Sequence, residues 1–390
     1  MLIRKYEMPW RAASEAYTGT VWLAAMAAFF YLDSQGVAPW PVLGSLSVLC
    51  LVAALLRWYQ AIRILVVRAS LSGHAMQIIT TDRLRQYCEQ ADDRVFLGFG
   101  FAWQPVHSQR LYELAKINYR DVLVSPWILR LLGYQSDPQP DAEIGMPYIH
   151  GVEPKEGPQY RPLFNFEDGT CIAGTTQSGK GVALSVLVSQ AVYRGDVVII
   201  FDPKNSKRLK GAVMKACADT RVPDTFLDFH PAFPEKVVRG GHVLYFALDS
   251  LPDPGVASAI AAIFLADLAA FAGMRYNLNL NRTRIALFVD EVANVINQPL
   301  IETLNKGAES GIYTTCAMQT LADLAKRLGS EEAARMALGN LNNLIALRSK
   351  DRPTQDFIVE TFGKTAIHTL KVGLNTAADA HLGDFTCVTG

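Results

Sequence analysis

The feature that most limits what this chain can fold into is a glycine-rich stretch, GTTQSGKG, at residues 174–181. It fits the phosphate-loop template G-x-x-x-x-G-K-[ST] through Lys180 and then has Gly181 where the template has a hydroxyl side chain. A short apolar stretch, Thr170–Ala173, precedes it, and a helical pattern, GVALSVLVSQAVYR, follows it. A phosphate loop requires this strand–loop–helix context, because glycines permit the tight backbone and a helix N-terminus binds phosphate oxygens.

The part of the chain beyond Asp168 alternates between strand and helix patterns, as α/β domains do. VVIIF at residues 197–201 is entirely apolar, which is typical of a parallel strand covered on both faces. Further strands are predicted at Thr225–Phe229, Val243–Leu248, Arg284–Asp290, Tyr313–Met318 and Leu344–Ser349, with helices at Val256–Ala272, Pro299–Ser310 and Leu321–Leu341. The fold class predicted for residues 168–390 is therefore α/β.

The loop predicts a nucleotide site for ATP with Mg²⁺. Lys180 supplies positive charge to the β and γ phosphates, and Gly174 and Gly179 permit the backbone to curl around them. The residues expected to contact the nucleotide are Gly174, Thr175, Thr176, Gln177, Ser178, Gly179, Lys180, Gly181 and Val182.

Two further motifs supply candidate catalytic groups. RIALFVDE delivers Asp290 and Glu291 to the carboxyl edge of the sheet, where ligands of open α/β sheets bind. Asp290 is expected to hold the metal, directly or through water, and Glu291 to activate the attacking water as general base. An acidic helix N-cap is the alternative for this pair. Gln319 follows the next strand, where its amide is suited to sense the γ-phosphate; capping of the following helix is the alternative.

The N-terminus contains two uncharged apolar runs, Ala16–Leu32 and Val37–Leu56. A membrane-spanning helix needs about 20 apolar residues, so we predict a two-helix transmembrane hairpin. A cleaved signal peptide would leave the second run unexplained, and a buried soluble hairpin would show a polar stripe on each helix. Positive residues flank the pair and are absent from its turn, which places both termini in the cytoplasm; they are Arg4, Lys5, Arg11, Arg57, Arg63 and Arg68.

Composition limits the remaining classes. The 37 basic and 37 acidic residues balance, so any DNA binding must use local patches. The six cysteines contain no C-x-x-C pair, which argues against a metal site or a disulfide framework. His107 and His150 are lone histidines, for which surface or packing roles are favoured. We divide the chain into residues 1–69 with the tail and spans, 70–167 as a membrane-proximal region and linker, and 168–390 as the ATPase domain.

Taken together, GTTQSGKG, IIFDPK, LFVDE, AMQT and the two spans resemble the TraG/TraD-type coupling proteins of bacterial conjugation and type IV secretion. In that family the G-K-G ending is common, so Gly181 is interpreted as a family feature. The resemblance implies a RecA-like P-loop ATPase domain, a homo-hexamer, and ATP-driven transfer of single-stranded DNA with its attached relaxase to the inner-membrane components of the secretion channel. It also implies that Asp202 and Lys204 lie beside the nucleotide, and that an arginine completes each site across the subunit interface. Arg348 and Arg352 are the candidates, with structural salt bridges as the alternative.

The chain departs from the family in one respect. Coupling proteins usually insert an all-helical domain between early strands of the motor, whereas here a short Pro/Gly-rich link joins the strands, and the C-terminus is abrupt. The leading hypothesis is an ATP-driven DNA-translocating coupling protein that contacts membrane lipid. The alternative is an ATP-binding membrane scaffold of a secretion apparatus without translocation activity.

Overall fold

The structure is a computed structural model that describes residues 9–11, 13–71, 79–116, 131, 152–220, 225–228, 234–248, 254–278, 283–371 and 386–389. His150 and the start of the Pro/Gly-rich link lie outside the described residues. The chain forms two compact units. Unit 1 comprises Met1–Gln77, Phe101–Gly157 and Thr365–Gly390, and unit 2 comprises Ile78–Gly100 and Pro158–Lys364. These units do not follow the three segments proposed from the sequence, because part of 70–167 groups with the ATPase region.

The helices in chain order are α1 (Ser14–Ser34), α2 (Trp40–Ser70), α3 (Thr81–Glu89), α4 (Pro105–Lys116), α5 (Lys180–Arg194), α6 (Lys207–Asp219), α7 (Pro234–Arg239), α8 (Pro254–Asn277), α9 (Val292–Val295), α10 (Gln298–Lys306), α11 (Leu321–Leu328), α12 (Glu331–Leu338) and α13 (Arg352–Phe362). The strands are β1 (Arg94–Gly100), β2 (Gly157–Pro162), β3 (Thr170–Ala173), β4 (Val197–Asp202), β5 (Phe226–Asp228), β6 (Val243–Ala247), β7 (Ile285–Val289), β8 (Ile312–Met318), β9 (Asn343–Ala346), β10 (His368–Lys371) and β11 (Thr386–Thr389).

In unit 1, α1 and α2 pack as the predicted apolar hairpin. Small residues of α2 face the partner helix, among them Ser47, Cys50 and Ala54, and Gly19 of α1 lies directly against the Trp58 ring. Small residues allow two helix backbones to approach closely, which favours association of apolar helices. The second helix is longer than the apolar run that predicts it: α2 continues beyond Leu56 to Ser70, because nothing in the following residues breaks a helix.

Most of the hairpin's outer surface is apolar and exposed. Val21, Val48 and Leu55 each leave more than half of their surface accessible. In the part of the chain that the structure describes, two helices are long and apolar enough to cross a membrane, Trp40–Ser70 and Gly255–Asn277. The second of these packs one face against the sheet of unit 2, where Leu265 and Leu268 are fully buried, whereas α1 is not among the helices that pass this criterion.

The rest of unit 1 places His107 in a packed setting. His107 of α4 is buried against the rings of Phe101 and Trp103. Its Nδ1 accepts a hydrogen bond from the Gln104 backbone N–H at 2.9 Å, and its Nε2 lies 2.8 Å from Glu153 Oε2. His107 therefore has the packing role predicted for it, but it is not a lone histidine, since Glu153 meets it from 46 residues away.

Unit 2 is built on a seven-stranded parallel sheet with the strand order β5-β6-β4-β7-β8-β3-β9. The strand before the phosphate loop, β3, lies between β8 and β9, and the strand before the acidic pair, β7, lies between β4 and β8. All seven correspond to strands predicted from the sequence, and their ends differ from the prediction by at most three residues. This order brings the carboxyl ends of β3, β8, β7 and β4 side by side.

Helices cover both faces of the sheet, so the β-strand residues alternate between two cores. Ile172, Val198 and Ile200 pack with α5 and α6, whereas Val197, Ile199 and Phe201 pack with α8 and its neighbours. The strands β1 and β2 form a separate two-stranded sheet. Gln190 of α5 exchanges two hydrogen bonds with the Phe96 backbone of β1, at 2.9 and 2.8 Å, which explains why residues 78–100 belong to this unit.

One predicted helix is divided in the structure. The pattern Leu321–Leu341 was predicted as a single helix, but it forms α11 and α12 with a break at Gly329. Gly329 has a φ of 91°, a conformation that glycine adopts without strain, and Ser330 then caps α12 by accepting the Ala333 N–H. Local capping chemistry therefore overrode the continuous helical periodicity.

Candidate nucleotide site

The GTTQSGKG segment forms a tight loop between β3 and α5. Gly179 precedes α5 with a φ of 95°, and Gln177 also lies in the left-handed region with a φ of 61°. At Gly174 a Cβ would collide with Ser178 Oγ and would lie 2.9 Å from Leu347 Cβ, so only glycine fits there. At Gly181, by contrast, a Cβ would meet nothing within 4 Å. The glycines of this loop therefore differ: Gly174 is required by close side-chain contacts and Gly179 by its backbone conformation, whereas Gly181, in the hydroxyl position, is required by neither.

Neighbouring strands hold the loop from its sides. The Gly174 N–H donates to Met318 O of β8 at 3.1 Å, and the Thr175 N–H and hydroxyl each donate to Arg348 O at 3.0 Å. The Val182 N–H donates to Gly179 O at 2.9 Å, so Val182 already belongs to the first turn of α5. The loop is thus anchored to the sheet edge.

The acidic pair follows β7 directly. The Asp290 N–H donates to Phe201 O at 2.9 Å, which continues the β4–β7 pairing by one residue. Glu291 has a φ of 49° and a ψ of 64°, an uncommon left-handed conformation for a residue other than glycine. Glu291 precedes α9, but its side chain does not cap that helix. The turn instead directs the Glu291 carboxylate toward the phosphate loop.

Side chains from two neighbouring loops contact this carboxylate. Lys180 Nζ forms an ion pair with Glu291 Oε1, and both groups are buried. Gln319 Nε2 donates to Glu291 Oε2 at 2.5 Å, and Gln319 Oε1 accepts from the Thr176 hydroxyl at 3.4 Å. The helix after Gln319 is capped by Thr320 and not by Gln319. The structure therefore brings Lys180, Glu291 and Gln319 together, although Lys180 and Glu291 are 111 residues apart.

A fourth group, Lys204, was predicted only to lie beside the nucleotide. Its Nζ lies 3.1 Å from Glu291 Oε1, the oxygen that also pairs with Lys180. Lys204 is held there by a turn at the end of β4 that is organised by the buried carboxylate of Asp202. The contact between Lys204 and Glu291 carries no signal in the sequence, because it depends on β4 and β7 being neighbours in the sheet.

Burial controls the electrostatics of this edge. Loss of solvent raises the pKa of Asp290, against the opposing influence of Lys180. Burial and the nearby Asp202 carboxylate raise the pKa of the Tyr245 hydroxyl, so Tyr245 stays protonated and donates to Asp202 Oδ2. A buried carboxylate whose charge is disfavoured by desolvation is a group that a cation would stabilise.

The residues present fit ATP and Mg²⁺. Ser178 Oγ is buried within the loop and has no hydrogen-bond partner among the described residues, and the loop leads into the N-terminus of α5, which favours phosphate oxygens. Asp290 offers a carboxylate, the ligand type that Mg²⁺ prefers. These groups lie within one continuous edge of the sheet.

The two arginine candidates differ in their surroundings. Arg348 is tied through its backbone carbonyl to Thr175 of the phosphate loop, and its side chain is exposed. Arg352 lies at the start of α13 and pairs with Asp356 at 3.0 Å within the same helix, as the salt-bridge alternative anticipated. Of the two, Arg348 is the one beside the loop.

This fold and edge define the class of the domain: unit 2 is a parallel α/β domain with a phosphate loop, in which β8 separates the phosphate-loop strand from the strand of the acidic pair. Residues 284–378 match the family model described as the TraM recognition site of TraD and TraG. The match begins just before the acidic pair and includes Gln319 and Arg348. Over these residues the chain is similar to TraD and TraG, the family that its motifs resemble.

Solved structures with the same kind of fold share little sequence with this chain. The unbound monoclinic form of the bacterial conjugative coupling protein TrwBdeltaN70 is 13% identical, covers 59% of this chain and 78% of its own, and has a TM-score of 0.38. TrwB in complex with ADP and Mg²⁺ is 14% identical over 52% of this chain and 75% of its own, with a TM-score of 0.35. The cytoplasmic domain of the type VII secretion ATPase EccC from Thermomonospora curvata is 14% identical. The match covers 50% of this chain and 21% of the EccC chain, with a TM-score of 0.33. No curated protein matches the sequence.

Proposed function

We propose that this protein is an ATP-dependent coupling protein of the inner membrane, which links a DNA-relaxase substrate to a type IV secretion channel and drives transfer of single-stranded DNA. The observation that carries the proposal is the meeting of Lys180, Glu291 and Gln319 at one sheet edge, directly beside the phosphate loop. ATP hydrolysis requires a cation that binds phosphate, a carboxylate that activates water and a group that links the two, which here is an amide.

In this proposal each residue of the edge has a distinct task. The backbone of residues 174–182 and the Lys180 ammonium bind the phosphates, and Asp290 is the carboxylate available to Mg²⁺. Glu291 accepts the proton of the attacking water on its carboxylate. Bound ATP and Mg²⁺ would supply the transferable phosphoryl group and neutralise its charge.

Gln319 is the connection between base and loop. Its amide contacts Glu291 Oε2 on one side and the Thr176 hydroxyl on the other. A displacement of Thr176 when the phosphates change would therefore be transmitted to Glu291 and to β8. This path is our basis for proposing Gln319 as the sensor of the γ-phosphate.

The membrane and partner assignments rest on the hairpin and on the family. We propose that α1 and α2 both cross the inner membrane, that the protein assembles as a homo-hexamer with Arg348 acting at the neighbouring site, and that residues 284–378 take part in recognising the relaxosome. The family model for these residues is described as a TraM recognition site, which supports the last point.

ATP turnover by the detergent-extracted full chain, with and without single-stranded DNA, tests the proposal. We expect ATP hydrolysis that DNA stimulates, and its loss in Lys180→Ala, because the loop then lacks its cation. ATP binding with hydrolysis indifferent to DNA would favour the membrane scaffold. Unchanged hydrolysis in Lys180→Ala would refute the assignment of the phosphate loop.

A further inference from the structure

The Glu291 carboxylate contacts two lysine ammonium groups, whereas one is sufficient for an ion pair. Lys180 and Lys204 both contact Oε1, and only the Gln319 amide contacts Oε2 among the residues that the structure describes. The two lysines also differ: the Lys180 side chain is 8% exposed, whereas that of Lys204 is 44% exposed. A partly exposed lysine directed at a buried carboxylate needs an explanation, because an exposed ion pair by itself contributes little stability.

The backbone of Lys204 is fixed by a built turn. Asp202 is fully buried; its Oδ1 accepts the Lys204 N–H at 3.0 Å, and its Oδ2 accepts the Ser206 N–H at 2.6 Å and the Tyr245 hydroxyl. Asn205, inside the turn, has a φ of 51°. Left-handed residues other than glycine persist where the surroundings hold them in place, frequently at functional sites. The hydrogen-bonded turn therefore holds the Lys204 backbone in a position from which its side chain contacts Glu291.

The contacts separate the two carboxylate oxygens. An ionised carboxylate offers about four acceptor positions, two on each oxygen. Both lysines contact Oε1, while Oε2 receives one donor from the described residues. The oxygen with remaining acceptor capacity is therefore Oε2, on the side of Gln319.

We propose that Lys204 is a positioning residue for the general base: it holds Glu291 Oε1, so that Oε2 is the atom that accepts the proton from the attacking water. This inference rests on the proposed function and deepens it. Lys180 has phosphate as its main partner in that function, and Lys204 is the cation that can remain on Glu291 throughout. Its contribution is orientation, which belongs to the hydrolysis step and not to nucleotide binding.

The experiment uses the full chain in detergent with single-stranded DNA present. Steady-state ATP hydrolysis gives kcat and KM, and a fluorescent non-hydrolysable ATP analogue gives Kd. The variants are Lys204→Ala, Lys204→Met, which keeps the apolar stem, and Lys204→Arg, which keeps the charge. Lys236→Ala, at an exposed position of α7, is the matched control for loss of a surface lysine.

We expect kcat to fall about tenfold to a hundredfold in Lys204→Ala and Lys204→Met, the size of effect that misplacing a catalytic group has, with Kd for the analogue changed by less than about threefold. Lys204→Arg should recover most of kcat, and Lys236→Ala should match the parent. In a Glu291→Gln background, Lys204→Ala should cause no further loss, because a positioning residue has nothing left to orient.

Three results overturn the inference while the parent is active. The first is an unchanged kcat in Lys204→Ala, and the second is a rise in Kd as large as the fall in kcat, which would make Lys204 a phosphate ligand. The third is a full additional fall in kcat when Lys204→Ala is introduced into the Glu291→Gln background. A parent chain that neither binds nor hydrolyses ATP overturns the proposed function, and this inference with it. The two failures are therefore distinguishable by the parent alone.

Discussion

At the scale of single residues, Glu291 is the group on which the site converges. Its left-handed backbone and its buried carboxylate bring together residues from the ends of β3, β4 and β8. A strained residue that is also buried and charged is costly to maintain, and such positions cluster in active sites. The arrangement is thus better explained by catalysis than by stability.

Glu291→Gln removes the proposed base and keeps the shape of the side chain. We expect ATP to remain bound while hydrolysis falls about a hundredfold or more, because general-base catalysis contributes rate and not affinity. Analogue Kd and ATP turnover in the same preparation measure the two effects. If the variant hydrolyses ATP like the parent, another group positions the water.

A substitution at Gly181 tests whether the site is active without a hydroxyl side chain at this position. A Cβ at this position meets nothing within 4 Å, so Gly181→Thr should fold and should change the Mg²⁺ requirement only modestly. Turnover measured against Mg²⁺ concentration checks this. A gain of tenfold, about 1.4 kcal/mol of barrier, would show that the parent is a damaged site.

Gly174 supplies the contrast within the same loop. Gly174→Ala should lose nucleotide binding, because its Cβ would collide with Ser178 Oγ and crowd Leu347. Equal tolerance at Gly174 and Gly181 would contradict the loop geometry described here.

At the scale of elements, the hairpin of α1 and α2 depends on close approach. Gly19 lies against the Trp58 ring, where a Cβ would overlap the ring atoms. Gly19→Leu should therefore destabilise the hairpin by about 1–3 kcal/mol, the usual cost of overpacking. Thermal unfolding in detergent, followed by tryptophan fluorescence, measures the change.

Thr20→Leu is the matched control for Gly19→Leu, since Thr20 is exposed on α1 and the same side chain is introduced one position away. The control should unfold like the parent. Equal destabilisation by both variants would mean that Gly19 is not at a close helix contact.

At the scale of the whole molecule, the proposed topology makes both ends cytoplasmic. A reporter that is active only in the periplasm should function when fused at Gln35, in the turn between α1 and α2, and fail when fused at Gly390, because the positive residues flank the hairpin on one side. Reporter activity in cells measures both fusions. Activity at Gly390 would contradict two membrane crossings.

Much of unit 2 could be predicted from the sequence, because its signals are local. Apolar strands such as Val197–Asp202 must be buried on both faces, and Gly179 of the phosphate loop has a backbone conformation that other residues rarely adopt. The positions of Lys180, Asp290 and Gln319 at strand ends follow from the same patterns. The sequence by itself thus determined the class of fold and the edge on which the site lies.

Only the tertiary structure decided which of these residues touch. The contacts of Glu291 with Lys180 and Lys204 depend on the order of parallel strands, which is set by crossover connections and packing of the two cores and has no local pattern. The same holds for the contact between His107 and Glu153. Local chemistry fixes the elements, and long-range packing fixes their neighbours, because side chains of distant segments come into contact only when the fold brings those segments together.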